Sequence, residues 1–173
     1  MFDVLIIGGG VSGMSCALVL GSAQNKAFAA DKKIGIFTHQ KASNLQDAVF
    51  NNAYGIPAGK LGSELLEESK EQLASLYPHV QQIENEKVMK IEGAYPNFTV
   101  VTNKGSYQTK IIVVAINATN TFAIEGLMEY VIPHKKAIAE KNRIQLKNED
   151  HFVADGIYVA GTLAGLRSQL SIA

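Results

Sequence analysis

The chain has 173 residues, 47% hydrophobic and 18% charged, which suits one globular domain with a sizeable core. Sixteen basic and sixteen acidic residues cancel, so no charge surplus points to nucleic acid or an anionic membrane, and no apolar run is long enough to span a bilayer. Cys16 is the only cysteine, which excludes an internal disulfide and a C-x-x-C pair and fits a reducing cytoplasm. Asp3 and the lack of a basic segment before the first apolar run argue against export.

The run Val4-Leu5-Ile6-Ile7-Gly8-Gly9-Gly10-Val11-Ser12-Gly13 predicts a strand at 2–7, a tight turn and a helix at 11–20. In this G-x-G-x-x-G context each glycine has its own task. Gly8 turns the chain out of the strand, Gly10 lets a pyrophosphate approach the backbone, and Gly13 lets helix and strand pack closely. The helix N-terminus then presents free N–H groups and its positive dipole end to the phosphates. Cys16, on that helix, reads as core packing.

Residues 21–33 form a longer, polar connection, and 33–38 read as a second strand through Ile34-Gly35-Ile36-Phe37. Strand, helix and strand make a β-α-β unit with a right-handed crossover. A loop is expected over 39–62, where Gly55, Pro57, Gly59 and Gly62 punctuate it. Ser63 is a candidate cap for a helix over 64–76, whose Glu64, Glu67, Glu68 and Glu71 read as a solvated face.

Residues 80–92 alternate weakly, 98–102 read as a strand, Asn103-Lys104-Gly105-Ser106 as a hairpin turn and 107–109 as the return strand. The apolar run 110–116 suits a central parallel strand buried on both faces. Residues 118–150 are mixed and loop-rich, with short pieces at 127–131 and 144–146. Residues 156–161 read as one more buried strand ending at Gly161. The chain stops at Ala173 in what reads as the start of a C-terminal helix. The fold class is therefore α/β, a Rossmann-like dinucleotide-binding domain spanning 1–173. Its central sheet is parallel, with a small antiparallel β-meander at about 88–110.

No acid/base constellation, nucleophile elbow or metal-ligand spacing is evident, so no catalytic residue is assigned. His39 follows the second strand where ligands bind in open α/β sheets, and His134 lies in a polar loop; each reads equally as a surface histidine.

Several of these segments together resemble the FAD domain of thioredoxin-reductase-like flavoproteins, within the pyridine nucleotide–disulfide oxidoreductases. The segment 2–10 with Ser12-Gly13 is similar to their N-terminal FAD motif. Asn52-Ala53-Tyr54-Gly55 and Gly62-Ser63-Glu64-Leu65-Leu66 resemble the flavin-side loop and the helix after it. The strand ending in Ala115-Ile116-Asn117 lies where the family has Ala-Thr-Gly. Asp155-Gly156-Ile157-Tyr158-Val159-Ala160-Gly161 resembles the second FAD motif.

The resemblance implies FAD as cofactor and a set of binding residues. Gly8, Gly9, Gly10, Val11, Ser12 and Gly13 would surround the pyrophosphate, with Ala115 nearby. Thr38 and His39 would lie at the adenosine ribose, and Val88 would pair its backbone with the adenine edge. Asn52 and Tyr54 would lie near the flavin ring, Gly161 and Thr162 near the ribityl and phosphates. Gln169 and Leu170 would offer N–H groups to the flavin carbonyls. Thr38 stands where the family usually has Glu or Asp, and Thr162 where it has Asp.

Thioredoxin reductases also insert an NADPH domain of about 100 residues after the Ala-Thr-Gly strand. Residues 118–154 cannot hold one, and neither a second G-x-G-x-x-G nor a cysteine pair occurs. The expectation is a minimal, cytoplasmic FAD-dependent oxidoreductase that is not itself a thioredoxin reductase. Its donor is free NAD(P)H or a redox partner protein. The alternative is a non-catalytic FAD-binding module or a subunit of a larger redox complex. An NAD-binding dehydrogenase fragment is disfavoured, because a plain NAD domain has neither the meander nor the second motif. A homodimer is a further expectation; nucleic acid, membrane and metal are not expected.

Overall fold

The computed structural model describes residues 1–39, 43 and 45–166. Strand β1 (Phe2–Ile7) leads through the glycine turn into helix α1 (Val11–Ser22), and strand β2 (Ile34–Phe37) returns parallel to β1. A two-residue hairpin, β3 (Val49–Phe50) with β4 (Lys60–Leu61), lies within the expected loop and leads into α2 (Gly62–Leu76). After it come β5 (Val80–Ile83), β6 (Val88–Ala94), β7 (Asn97–Thr102) and β8 (Ser106–Val114). The chain closes with β9 (Val131–Pro133), β10 (Ile144–Leu146), β11 (Phe152–Ala154) and β12 (Ile157–Val159).

Five strands run parallel in the order β12-β8-β1-β2-β5, and β11 adds an antiparallel edge beside β12. β8 is one uninterrupted strand where the sequence suggested two. Its first half pairs antiparallel with β7, and its second half runs parallel between β1 and β12. The meander β6-β7-β8 therefore grows directly out of the central sheet.

The sheet is buried on both faces, as its continuous apolar runs require. One face, through Ile6, Ile34 and Ile36, packs on Met14 and Ala17 of α1 and Leu73 of α2. The other, through Leu5, Ile7, Phe37, Ile112 and Val114, packs under the meander and the later loops, including Val100, Leu127, Leu146 and Leu163. Gly35 makes room on that second face, since a β-carbon there would meet the Leu5 and Phe2 side chains at 2.7 Å. Antiparallel strands and loops thus fill the layer where many Rossmann-like domains carry helices.

Two local expectations need correction. Ser63 does not cap α2. The helix begins at Gly62, and the Leu61 N–H donates to the Glu64 carboxylate at 3.3 Å. Gly62 passes so close to the Leu45 carbonyl that only a glycine fits there. The segment 80–92 is two strands separated by the polar residues 84–87, and β11 had no clear sequence signal.

At the amino edge of the sheet, the Asp3 carboxylate accepts from the Lys110 ammonium at 2.8 Å and the Lys33 N–H at 2.9 Å. It ties β1, β2 and β8 together. The Lys110 contact, followed by the Lys33 bond, holds this carboxyl below its ordinary range. A depressed pKa adds stability that is complete above the unfolded-state value and is lost as pH falls through the folded one. Asp3→Asn should therefore cost about 1 kcal/mol at neutral pH, and the deficit should shrink once pH drops below about 4. Urea titrations of both proteins across pH would show it.

Candidate functional site

The parallel strands all end on one edge, and a cavity of about 470 Å³ opens there. Its floor is the glycine turn, Gly8 to Gly10, after β1. Phe37 and His39 line it after β2, Glu86 to Val88 after β5, and Ala115 to Asn117 after β8. Thr119 and residues 121–124, from the loop following β8, close one side. This is where open α/β sheets bind ligands.

The glycines differ in who needs them. Gly8 has φ +120°, and a β-carbon on it would lie 2.4 Å from the Ala115 carbonyl oxygen. A β-carbon on Gly13 would lie 1.7 Å from the Gly8 carbonyl oxygen. Both are demanded by the protein's own packing. Gly10 is not. It has ordinary extended backbone, φ −76°, and among the described residues a β-carbon there would find nothing nearer than the Ser43 hydroxyl at 3.7 Å. The described residues leave space at Gly10 that they do not themselves use.

Gly10 is also the N-cap of α1. No side chain caps that terminus, and its first turn holds no acidic residue. Among the described residues, the positive end of the helix is therefore not neutralised by a cap or a first-turn acid beside the cavity.

The second glycine motif comes to the same place. The Ala160 N–H donates to the Val114 carbonyl at 2.9 Å, which carries the chain after β12 onto the carboxyl edge. Gly161 follows with φ +71°, and a β-carbon on it would collide with the Ser12 side chain at 2.2 Å. Residues 161–164 then make a single 3₁₀ turn. Polar side chains of the later loops hold that turn. His134 Nδ1 accepts the Lys136 N–H at 3.1 Å, so Nε2 carries the proton and donates to the Thr162 carbonyl, also at 3.1 Å. The Asn148 amide donates to the Ala164 carbonyl at 3.2 Å, and buried Gln145 accepts the Lys135 N–H at 2.8 Å beside Gly165. His134 is thus engaged at both nitrogens and acts as a brace.

Of the residues singled out in the sequence, Gly8, Gly9, Gly10, His39, Val88 and Ala115 line the cavity. Ser12, Gly13 and Gly161 pack at its base, with Thr162 in the turn beyond. Thr38 is buried and does not line the cavity; its N–H donates to the Ile83 carbonyl at 3.0 Å, and its hydroxyl has no partner among the described residues. Val11 and Tyr54 line a separate apolar hollow of about 250 Å³ between α1, α2 and the β3–β4 loop, where Tyr54 is fully exposed. Asn52 is exposed in that loop and lines neither space. Gln169 and Leu170 lie outside the described residues.

Sequence reasoning missed Glu86. Its carboxylate accepts from the Thr102 hydroxyl at 2.7 Å and the Tyr107 hydroxyl at 2.8 Å. Those bonds, Thr102 first, hold the carboxyl below its ordinary range. The available signal was the polar break Glu84-Asn85-Glu86-Lys87 between two apolar pieces, which puts a loop at the end of a strand. Cys16 is half-buried on α1, and burial pushes its thiol up, away from the reactive thiolate. Among the described residues no His, Cys, Asp and Glu group could hold a metal ion, and no helix is long and apolar enough to cross a membrane.

The family described as pyridine nucleotide-disulphide oxidoreductase matches residues 2–166. Among solved structures, an oxidoreductase from Agrobacterium tumefaciens is 27% identical with a TM-score of 0.56, over 75% of this chain and 41% of that one. A thioredoxin reductase from Gloeobacter violaceus is 26% identical with a TM-score of 0.59, over 70% and 38%. The thioredoxin reductase from Streptococcus pyogenes is 26% identical with a TM-score of 0.54, over 75% and 40%. The chain therefore spans about two-fifths of the length of these proteins. No curated protein sequence matches it.

The contrast between the glycines is open to measurement. Gly13→Ala should destabilise the fold by about 3 kcal/mol or more, because backbone must move. Gly10→Ala should change stability by less than about 0.5 kcal/mol. Denaturant unfolding of the two variants checks both values.

Proposed function

The chain belongs to the pyridine nucleotide-disulphide oxidoreductase family, and on that premise we propose that it binds FAD and serves as the flavin-bearing part of an oxidoreductase. The observation that carries this reading is the meeting of the two glycine motifs, Gly161 against Ser12, beside a Gly10 whose free space the described residues do not use. A plain NAD site needs only the first motif. The donor set fits the group. The uncapped α1 terminus and the backbone at Gly10 suit a pyrophosphate, and Phe37 and Val88 give apolar walls farther along the cavity.

When bound, FAD supplies hydride and single-electron chemistry. The chain's own residues bind and orient it. The N–H groups at the start of α1 would hold the phosphates, while the turn at 161–164, held by His134 and Asn148, would approach from the side of the second motif. In this reading the electron donor is free NAD(P)H or a redox partner protein; residues 118–154, folded as one hairpin, short turns and β11 with no second β-α-β unit, support a donor from outside that stretch. A single cysteine leaves no disulfide to exchange within these 173 residues. The lone cysteine also supports a reducing, cytoplasmic setting.

One observation favours the second reading, a flavin-holding module or subunit without its own reaction. Glu86 and His39 are the carboxylate and imidazole lining the cavity, and both follow β2 or β5, the strands farthest from the second motif. No catalytic acid or base is then placed beside the flavin end among the described residues.

The purified protein should show the visible absorbance bands of an oxidised flavin, or acquire them on adding FAD. Gly10→Ala should retain the fold while its FAD uptake falls about tenfold or more. Anaerobic bleaching by NADH or NADPH supports direct oxidation; persistent colour with both favours the module. A colourless wild type that takes up no FAD would reject the reading.

A further inference from the structure

The parallel strands β1, β2 and β5 are neighbours in that order, so their carboxyl ends form a line away from the glycine turn. Two strand spacings, about 10 Å, separate the ends of β1 and β5. A nucleotide whose phosphates sit at Gly8 to Gly10 and whose adenosine extends along this line reaches β2, then β5. An acid at the end of β2 is the usual partner for the ribose hydroxyls. Thr38 occupies that position here, buried and away from the cavity lining. The carboxylate that does line the cavity is Glu86, one strand farther on.

Its position is set in advance. The Thr102 oxygen accepts the Lys104 N–H at 3.1 Å and the Gly105 N–H at 3.0 Å, which aims its own hydrogen at Glu86. The Tyr107 ring meets Phe37 edge-on at 5.4 Å, and Phe37 itself lines the cavity. A carboxylate offers about four acceptor positions. Thr102 and Tyr107 use two of these, one on each oxygen. The other positions remain on a half-buried group at the cavity wall.

We propose that Glu86 is the ribose-binding acid of this chain, accepting hydrogen bonds from the vicinal hydroxyls of the adenosine ribose in place of an acid at the end of β2. The assignment rests on the nucleotide-binding reading above. It makes Glu86 a specificity-determining residue, with Thr102 and Tyr107 as the positioning residues that aim it.

Calorimetric titration with ADP and 2′-deoxy-ADP tests it without any turnover assay. The wild type should prefer ADP several-fold. Glu86→Gln should weaken ADP about tenfold, the difference between a charged and a neutral acceptor, and remove most of that preference. Should Glu86→Gln fail to fold, Tyr107→Phe carries the test. It keeps the charge and unpins the carboxylate, so the preference should shrink by about threefold. Undiminished ADP binding in the folded variants overturns the assignment, as does equal weakening of both nucleotides, which would mean that Glu86 reads something other than the ribose. A wild type that binds ADP but no FAD rejects the flavin and leaves Glu86 to be judged on ADP alone. A wild type that binds FAD, with ADP preference untouched by the variants, rejects Glu86 alone. No ADP binding at all overturns the Glu86 assignment, and no uptake of FAD either overturns both.

Discussion

The carboxyl edge of the sheet depends on one backbone turn closing on itself. Gly13 of α1 sits against the carbonyl of Gly8, and Gly8 sits against the carbonyl of Ala115, each at a distance no side chain survives. This double contact sets how near α1 lies to β1 and how near β8 lies to both. The Ala115 N–H donates to the Ile7 carbonyl at 2.8 Å, so the turn is also locked into the ladder. Once α1 is drawn in, its uncapped terminus must face the cavity, and Ser12 must lie where Gly161 passes. The shape of the site is thus a consequence of backbone packing before any ligand contact is considered. Gly10 is the exception that gives the arrangement meaning: it lies between glycines that backbone packing demands, and none of the described residues demands a glycine there.

Much of this was legible in the sequence, because the signals were local. Strand, glycine turn and helix occur in one uninterrupted stretch, so β1 and α1 fall almost where periodicity puts them. The apolar run at 110–116 announced a strand buried on both faces, and β8 is one. What was not legible depends on distant partners. Nothing local shows that 106–109 and 110–114 form one strand, since the change from antiparallel to parallel pairing belongs to β7, β1 and β12. Glu86 was hidden for the same reason. Its partners Thr102 and Tyr107 lie 16 and 21 residues away, and its access to the cavity follows from β5 standing beside β2. Tyr54 and Asn52 carry a motif resemblance, but the β3–β4 hairpin holds them outward, at or beyond the separate apolar hollow.

The loop-rich stretch after β8 turns out to be structural support for the second motif. A 3₁₀ turn of four residues cannot satisfy its own carbonyls along a ladder as a strand does. Here His134 adds a second hydrogen bond to the Thr162 carbonyl, which also accepts the Gly165 N–H at 3.0 Å, and Asn148 takes the Ala164 carbonyl, one residue lying before β10 and one after it. Gln145, buried within β10, fills the space that glycine at 165 leaves. The β9–β10 hairpin therefore stands in for the regular secondary structure that the turn lacks. Its polar residues are spent on backbone carbonyls and N–H groups, which explains why a histidine beside the second glycine motif is a brace. The two motifs are consequently held by different means. The first is fixed by close backbone contact within the sheet, the second by side chains reaching over from a hairpin. A change at His134 or Asn148 should loosen the second motif while leaving the first intact, so the two halves of the binding edge can vary independently in one small fold.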